Sequence, residues 1–494
     1  MRYGLFFTFW TVSIFPVNAQ SVLTLQDCHS LAIKNNHQLK INDAQIKKAS
    51  EEKKAAFTQY LPDLSVTGAY FYNQKKISLL SSDQYLPVGT VMPDGSFGFT
   101  QNQINNQWTM IDGQPVPLDA EGKPFNPSQD PNKILWKEHA IIPKSAFDLD
   151  IHNVFAGAIS LVQPIYMGGK IAAYNKLTGY VEDLAILTAH RELQDLLLQI
   201  DHAYWQSVSL AAKQQLAQHY LILLQQMDKD VQAMIRSGVA TRADGLSVKV
   251  KLNEAEMKVL QVEDGLQLSR MLLCQLCGLP LDSPIRLVDE KVDNLLIDEV
   301  NSSYNMEQVY ANRLEVQSLE LAQKIYEKKE AVVRADGLPT VALAGNYMVS
   351  NPNSFNGFQN KFAGSWNVGV LVNIPLFHWG ETLHKVRAAK AETTIKRLET
   401  ADAKEKIELQ VSQAQFKLKE AKKKVTIADK NKESADENLR YAQVGFKEGV
   451  IPSLNVMEAQ TAWYQAHTEW IDAQIAVRLG QVEFNKALGI AQSR

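Results

Sequence analysis

The sequence predicts a mainly α-helical protein with a small β part, built from one helix–strand–strand–long-helix-hairpin unit written twice. Three observations predict it. Blocks of similar sequence recur at fixed shifts, runs of period-two alternation stand between helical stretches, and a long seam of small apolar residues is spaced three and four apart.

The chain opens on a leader. Arg2 supplies a positive end, 4–15 is a short apolar run, and Val17-Asn18-Ala19 gives a small-residue cleavage site before Gln20, so 1–19 reads as a secretory signal peptide. Cys28 falls well past that site, which leaves no lipid-anchor cysteine behind it. No later stretch offers the ~20 consecutive apolar residues a membrane helix needs. Any crossing must then be made by a closed β-barrel, the other structure that satisfies the backbone in lipid. A formal net charge of −3 argues against a nucleic-acid partner.

The duplication decides the fold. Leu61-Pro62 through Tyr70 matches Leu338-Pro339 through Tyr347 at a shift of 277, and Asn35 falls on Asn312 at the same shift. Further on, Pro164 matches Pro375, Gly169 matches Gly380, Gly238-Val239 matches Gly449-Val450 and Gly278 matches Gly489, all at a shift of 211. The two shifts differ by 66 residues, so the first copy carries an insertion between its strands. That interval is polar and punctuated by Pro93-Asp94-Gly95, Asp112-Gly113 and Asp130-Pro131-Asn132, and reads as an elaborated loop. The expected organisation is a first repeat over 20–278 with 74–153 as the insertion, a linker over 279–305 and a second repeat over 306–494.

Each repeat opens with a polar-faced helix, expected over 24–59 and 306–336. Two strand-like segments follow, shown best by Trp366, Val368, Val370, Val372 and Ile374, which alternate with Asn367, Gly369, Leu371 and Asn373. Four such strands cannot close a barrel, since the smallest have about eight. They form a soluble sheet, or several chains pool them. Next come helices over about 170–235 and 381–446, each about 100 Å long at 1.5 Å per residue. The second carries the seam Val411, Ala414, Leu418, Ala421, Val425, Ala428, Lys432, Ala435, Leu439, Ala442 and Phe446, a coiled-coil period. After Gly238 and Gly449 the chain returns through arms half as long, so the opening helices are needed to partner the rest of each long helix.

The duplicated Leu-Pro, the duplicated Pro-x-x-x-x-Gly before each long helix and the duplicated glycine turn resemble the TolC-like outer membrane efflux protein family, over nearly the whole mature chain. The resemblance implies a homotrimer in which each chain gives four strands to one twelve-stranded transmembrane β-barrel, with a periplasmic coiled-coil tunnel of twelve helices below it. It implies a porin-like exit duct in outer-membrane lipid, serving a tripartite efflux or type I secretion system through a periplasmic adaptor (membrane fusion) protein and an inner-membrane transporter. The 74–153 and 351–361 loops would face outside the cell. The linker would join a belt around the tunnel, to which only 490–494 remain as a C-terminal contribution. Gly238, Val239, Gly449 and Val450 would form the tip where the adaptor docks.

The family also places acidic residues just past each glycine turn, ringing a narrow entrance. Asp244 matches one such position, Asn455 stands at the other, and Glu458 follows one helical step later. Carboxylate rings favour cations. Asp244 has a second reading, because Thr241-Arg242-Ala243-Asp244 has the form of a helix capping box. Arg242 is the candidate partner for a salt-bridged latch.

Two rivals are weighed against the duct. An enzyme would need a motif, and no phosphate-cradling glycine loop, H-E-x-x-H or G-x-S-x-G occurs, nor do the ten histidines show ligand spacing; no cofactor, metal or catalytic residue is expected. A soluble periplasmic coiled-coil adaptor would explain the hairpins and leave the strands unexplained. Cys274-Gln275-Leu276-Cys277 reads as a redox pair or as two thiols on an apolar helix end.

Overall fold

The computed structural model describes residues 21–291 and 304–490, apart from 92, 96, 99, 354 and 356–358. The signal peptide expected over 1–19, the linker residues 292–303 and the tail beyond Ile490 lie outside the described residues. The chain divides into two compact units, one of Met1–Thr58, Gly168–Leu338 and Pro375–Arg494, the other of Gln59–Met167 and Pro339–Ile374.

The first unit is helical. Strand β1 (Ser21–Leu23) leads into α1 (Leu25–Asn35), whose N-terminus Thr24 and Asp27 close with a reciprocal capping box. Then come α2 (His37–Thr58), α3 (Lys170–Arg236), α4 (Arg242–Cys277), α5 (Met306–Asn312), α6 (Leu314–Ala335), α7 (Glu381–Lys447) and α8 (Ser453–Ala487). The 211 shift carries both ends of α3 onto both ends of α7, each 67 residues long. The 277 shift does the same for α2 and α6, each 22 residues long. α3 packs against α2, α4, α6 and α8, whereas α7 packs against α6 and α8. The α7 seam is buried from Val411 to Phe446 except at Lys432, whose ammonium pairs with Asp436 at 3.7 Å and lies over the Trp470 ring. With more neighbours, α3 buries a wider face, adding Tyr204, Trp205, Val208, Tyr220 and Met227.

The opening stretch of each repeat, expected as one helix, is two. The backbone turns extended at Asn36 (φ −62°, ψ 129°) and at Arg313 (φ −73°, ψ 116°). The side chains at these breaks serve other helices. Asn36 Nδ2 donates to the Leu276 carbonyl at 3.1 Å, and Arg313 Nη1 donates to those of Lys486 and Ala487 at 3.2 and 3.1 Å. These are last-turn carbonyls that have no partner within their own helix. Beside each break sits a left-handed glycine ending the returning arm. A Cβ on Gly278 would meet Asn35 Cβ at 2.6 Å, and one on Gly489 would meet Asn312 at 3.0 Å. Two matches that looked separate in sequence, asparagine with asparagine and glycine with glycine, are one contact made twice.

The second unit is a four-stranded antiparallel sheet of order β14-β13-β11-β2, formed by β2 (Asp63–Tyr72), β11 (Asn153–Met167), β13 (Thr340–Asn351) and β14 (Ala363–Asn373). Pairing of β11 with β2 ends at Val162, and its register against β13 shifts between Pro164 and Tyr166. Proline lacks the N–H a central strand needs, so it stands where one neighbour has already gone.

The insertion is more than a loop. Pairing continues past Tyr72 and Asn153 through β3 (Ile77–Ser78) with β10 (Asp148–Leu149) and β4 (Gln84–Pro87) with β9 (His139–Ile142). Beyond lie β5 (Thr90–Val91) with β6 (Phe97–Gly98), and the hairpin β7 (Trp108–Ile111) with β8 (Gln114–Pro117). Ile104, Phe125 and Ile134 form a small buried cluster under Trp108 and Trp136. Asn106 ties it together, donating to the carbonyls of Leu118 and Lys133 and accepting from the Leu135 N–H at 2.6 Å.

Candidate membrane face and hairpin tips

Residues paired across the sheet share a face, and the two faces differ in chemistry. One carries Leu64, Val66 and Tyr70 on β2, Phe155, Ile159 and Leu161 on β11, Leu343 and Tyr347 on β13, and Trp366, Val368, Val370 and Val372 on β14. All twelve are exposed in the single chain. The other face is mixed: Ser65, Thr67, Ala156, Ala158, Ser160, Ala342, Ala344, Asn346, Ser365 and Asn367 make it mostly small and polar, with Asn346 Nδ2 donating to Asn367 Oδ1 at 3.2 Å, while Phe71, Val154, Val162, Met348 and Leu371 add apolar side chains. Full burial of such an apolar side chain is worth about 1.5–3 kcal/mol, so leaving the dozen half in water forgoes on the order of 15 kcal/mol. That exceeds the net stability of many domains. Among the described residues, both outer strands, β2 and β14, also have an open edge. Among the described residues no helix is long and apolar enough to cross a membrane.

The helical hairpins turn the same way at both ends. Gly238 and Gly449 are left-handed, with φ of +79° and +75°. In the first, Val239 N–H reaches the Met234 carbonyl at 2.9 Å and Gly238 N–H that of Ile235 at 3.1 Å. In the second, Val450 N–H reaches Gly445 at 2.8 Å and Gly449 N–H reaches Phe446 at 3.0 Å, so both are Schellman motifs. A Cβ on either turn glycine would meet nothing within 4 Å, so backbone conformation, not space, requires glycine there. The residue after the glycine usually folds its apolar side chain back onto the helix. Here Val239 is 72% exposed and Val450 77%, and Leu246 and Leu454 are exposed beside them.

The expected gate residues are set differently at the two tips. Asp244 is half-buried and accepts from the Thr241 N–H at 2.9 Å and hydroxyl at 2.7 Å, while its own N–H donates back to Thr241 at 3.3 Å. The capping box is formed. Those hydrogen bonds from Thr241 hold the Asp244 carboxyl below its ordinary 3.8. Asn455 and Glu458 are exposed on α8, which starts from Pro452 without a side-chain cap. Arg242 is exposed, and among the described residues it makes no ion pair, so the latch partner suggested for it is not engaged within one chain.

Sequence reasoning missed how the linker starts. β12 (Ile285–Leu287) pairs in parallel with β1, and the turn after it docks on the helices. Tyr204 donates to Asp289 Oδ2 at 2.5 Å and Arg270 to Glu290 Oε1 at 2.8 Å. Alternating Ile285, Arg286 and Leu287, with the outer two buried, was the available signal.

Comparison with known proteins agrees with this architecture. Residues 305–490 match the family model described as outer membrane efflux protein. The alkaline protease secretion protein AprF of Pseudomonas aeruginosa is 22% identical over 322 residues, 64% of this chain and 66% of AprF, just under two thirds of that relative's length. The Campylobacter jejuni CmeC outer membrane channel superposes with a TM-score of 0.71 at 13% identity, covering 100% of this chain and 96% of CmeC. The outer membrane protein VceC of Vibrio cholerae gives 0.68 at 13% identity, covering 94% and 96%. The open state of the Neisseria gonorrhoeae MtrE outer membrane channel gives 0.67 at 15% identity, covering 94% and 88%. At such identities the superpositions carry the fold, and the family match concerns residues 305–490. The second repeat therefore matches the outer membrane efflux protein family, and the duplicated hairpin with its four-stranded sheet has the fold of these outer membrane channels.

Proposed function

We propose that this chain is one third of an outer-membrane exit duct, a homotrimer whose twelve pooled strands form the barrel and whose helices form the periplasmic tunnel. The observation that supports it most is the sheet with one exposed apolar face, a second face that is mostly small and polar, and two open edges. Only closure with further copies satisfies those edges in lipid, and the alternating faces are those of a barrel wall. A soluble adaptor has no use for such a sheet. Exposed Val239, Leu246, Val450 and Leu454 are the docking surface for a periplasmic adaptor, which links the duct to an inner-membrane transporter. Asp244, Asn455 and Glu458 line its entrance, with Arg242 beside them. AprF's description as a secretion protein favours protein export over small-molecule efflux for the cargo. Membrane fractionation tests the reading. Heat-labile trimers in the outer-membrane fraction that conduct in planar bilayers are expected, and a soluble periplasmic monomer would overturn it.

A further inference from the structure

Three cysteines distant in sequence meet in one core. Cys28 lies on α1, Cys274 and Cys277 lie on the last turn of α4, and all three are fully buried in the same apolar cluster. They are not equivalent. The Cys277 thiol donates to the Cys28 carbonyl oxygen at 3.6 Å, which brings the two cysteines of distant segments into direct contact. Cys274 sits 4.0 Å from the Ser283 carbonyl, one helical turn back. The contact is also rigid, because the backbones touch at Gly278 and Asn35, and Asn36 clamps the Leu276 carbonyl. The C-x-x-C motif is therefore misleading, since the cysteine that the Cys277 sulfur touches, Cys28, comes from the opposite end of the repeat.

We propose that Cys28 and Cys277 are a disulfide pair in the exported protein, closing a 249-residue covalent loop between the first helix and the end of the first hairpin, with Cys274 left as a thiol. This rests on the export reading, because the cytosol would keep the thiols reduced. The oxidant is a disulfide-bonded envelope protein. The Cys277 thiolate attacks the oxidant's disulfide, forming a mixed disulfide and releasing one oxidant sulfur as thiolate. The Cys28 thiolate then attacks the Cys277 sulfur, forming the bridge and expelling the second oxidant sulfur. The chain loses two protons and two electrons, and the oxidant leaves as a dithiol. Since both thiols are buried after folding, exchange occurs while α1 docks on α4, and burial then shields the bond from reductants.

Thiol counting on protein from the membrane fraction tests this. The sample is denatured in acid and treated with a maleimide-linked polyethylene glycol, with and without prior reduction. One adduct is expected without reduction and three after it, with faster migration of the unreduced chain and a Cys28–Cys277 peptide on mapping. Cys277→Ser should give two adducts without reduction, and Cys274→Ser none. Three adducts in the unreduced wild type, or a Cys274–Cys277 peptide, would overturn the pairing. If the chain is absent from the membrane fraction, the export reading fails separately. The pairing is then read on purified protein refolded from urea with oxidised glutathione, where the Cys28–Cys277 peptide is still expected and any other pattern overturns it.

Discussion

The two hairpin tips are copies that solve one packing problem in opposite ways. At the first tip the hole is on the returning helix, where a Cβ on Gly245 would meet Ile235 Cδ1 at 2.8 Å. At the second it is on the outgoing helix, where a Cβ on Gly445 would meet Ile451 Cδ1 at 2.6 Å. Knob and hole have changed arms while the left-handed turn glycine between them stayed. The first returning helix starts on a Thr241–Asp244 capping box, and the second starts on Pro452. What the tips share is backbone geometry, and what distinguishes them is side-chain chemistry. A threefold assembly would therefore present two kinds of tip.

The largest test removes the shared part. Gly238→Val and Gly449→Val each put a β-branched residue at positive φ, at a cost of about 1–3 kcal/mol. Loss of export with trimers still assembled is the expected result in a cell-based export assay. If one variant exports normally, that tip is not used for docking.

Next comes the inverted packing. Gly245→Leu and Gly445→Leu should each lower stability by about 1–3 kcal/mol through overpacking, read as a fall in Tm. Ile235→Ala should rescue only the first and Ile451→Ala only the second. Cross-rescue would show that the contacts are not local to each tip.

A smaller effect is expected from charge. Alanine at both Asp244 and Glu458 should weaken cation selectivity in planar bilayers; unchanged reversal potentials would leave Asp244 as a cap and nothing more. The smallest effect separates the tips by pH. A carboxyl held below its ordinary value stabilises the fold fully above 3.8, and that contribution is lost as pH falls through the depressed value. Hydrogen exchange should therefore rise at the start of α4 below about pH 3.8 and stay flat at the start of α8. Thr241→Ala should mimic this at neutral pH, at about 1 kcal/mol.

Repetition made the fold legible. The shifts of 211 and 277 located the long helices and strands to within a few residues, because two imperfect signals at one register reinforce each other. The breaks at Asn36 and Arg313 were hidden, since neither residue is a helix breaker and each leaves the helix to serve a distant carbonyl. The strands of the insertion escaped because they run two to four residues, too short for alternation to register. At the candidate site, the turn glycines were plain from sequence. The capping role of Asp244 was readable from its spacing to Thr241, whereas a pore-facing role depends on neighbouring copies that a single chain's sequence does not describe.

The open edges of β2 and β14 bear on the protein's biogenesis. A sheet with unpaired edges and an apolar face is unsafe alone in water and incomplete alone in lipid. A single copy therefore has no compartment in which it can wait folded. In the proposed trimer, escort across the periplasm, association with sister chains and entry into the bilayer would be one coupled event, and the helical unit, with its own buried cores, is the part able to fold beforehand.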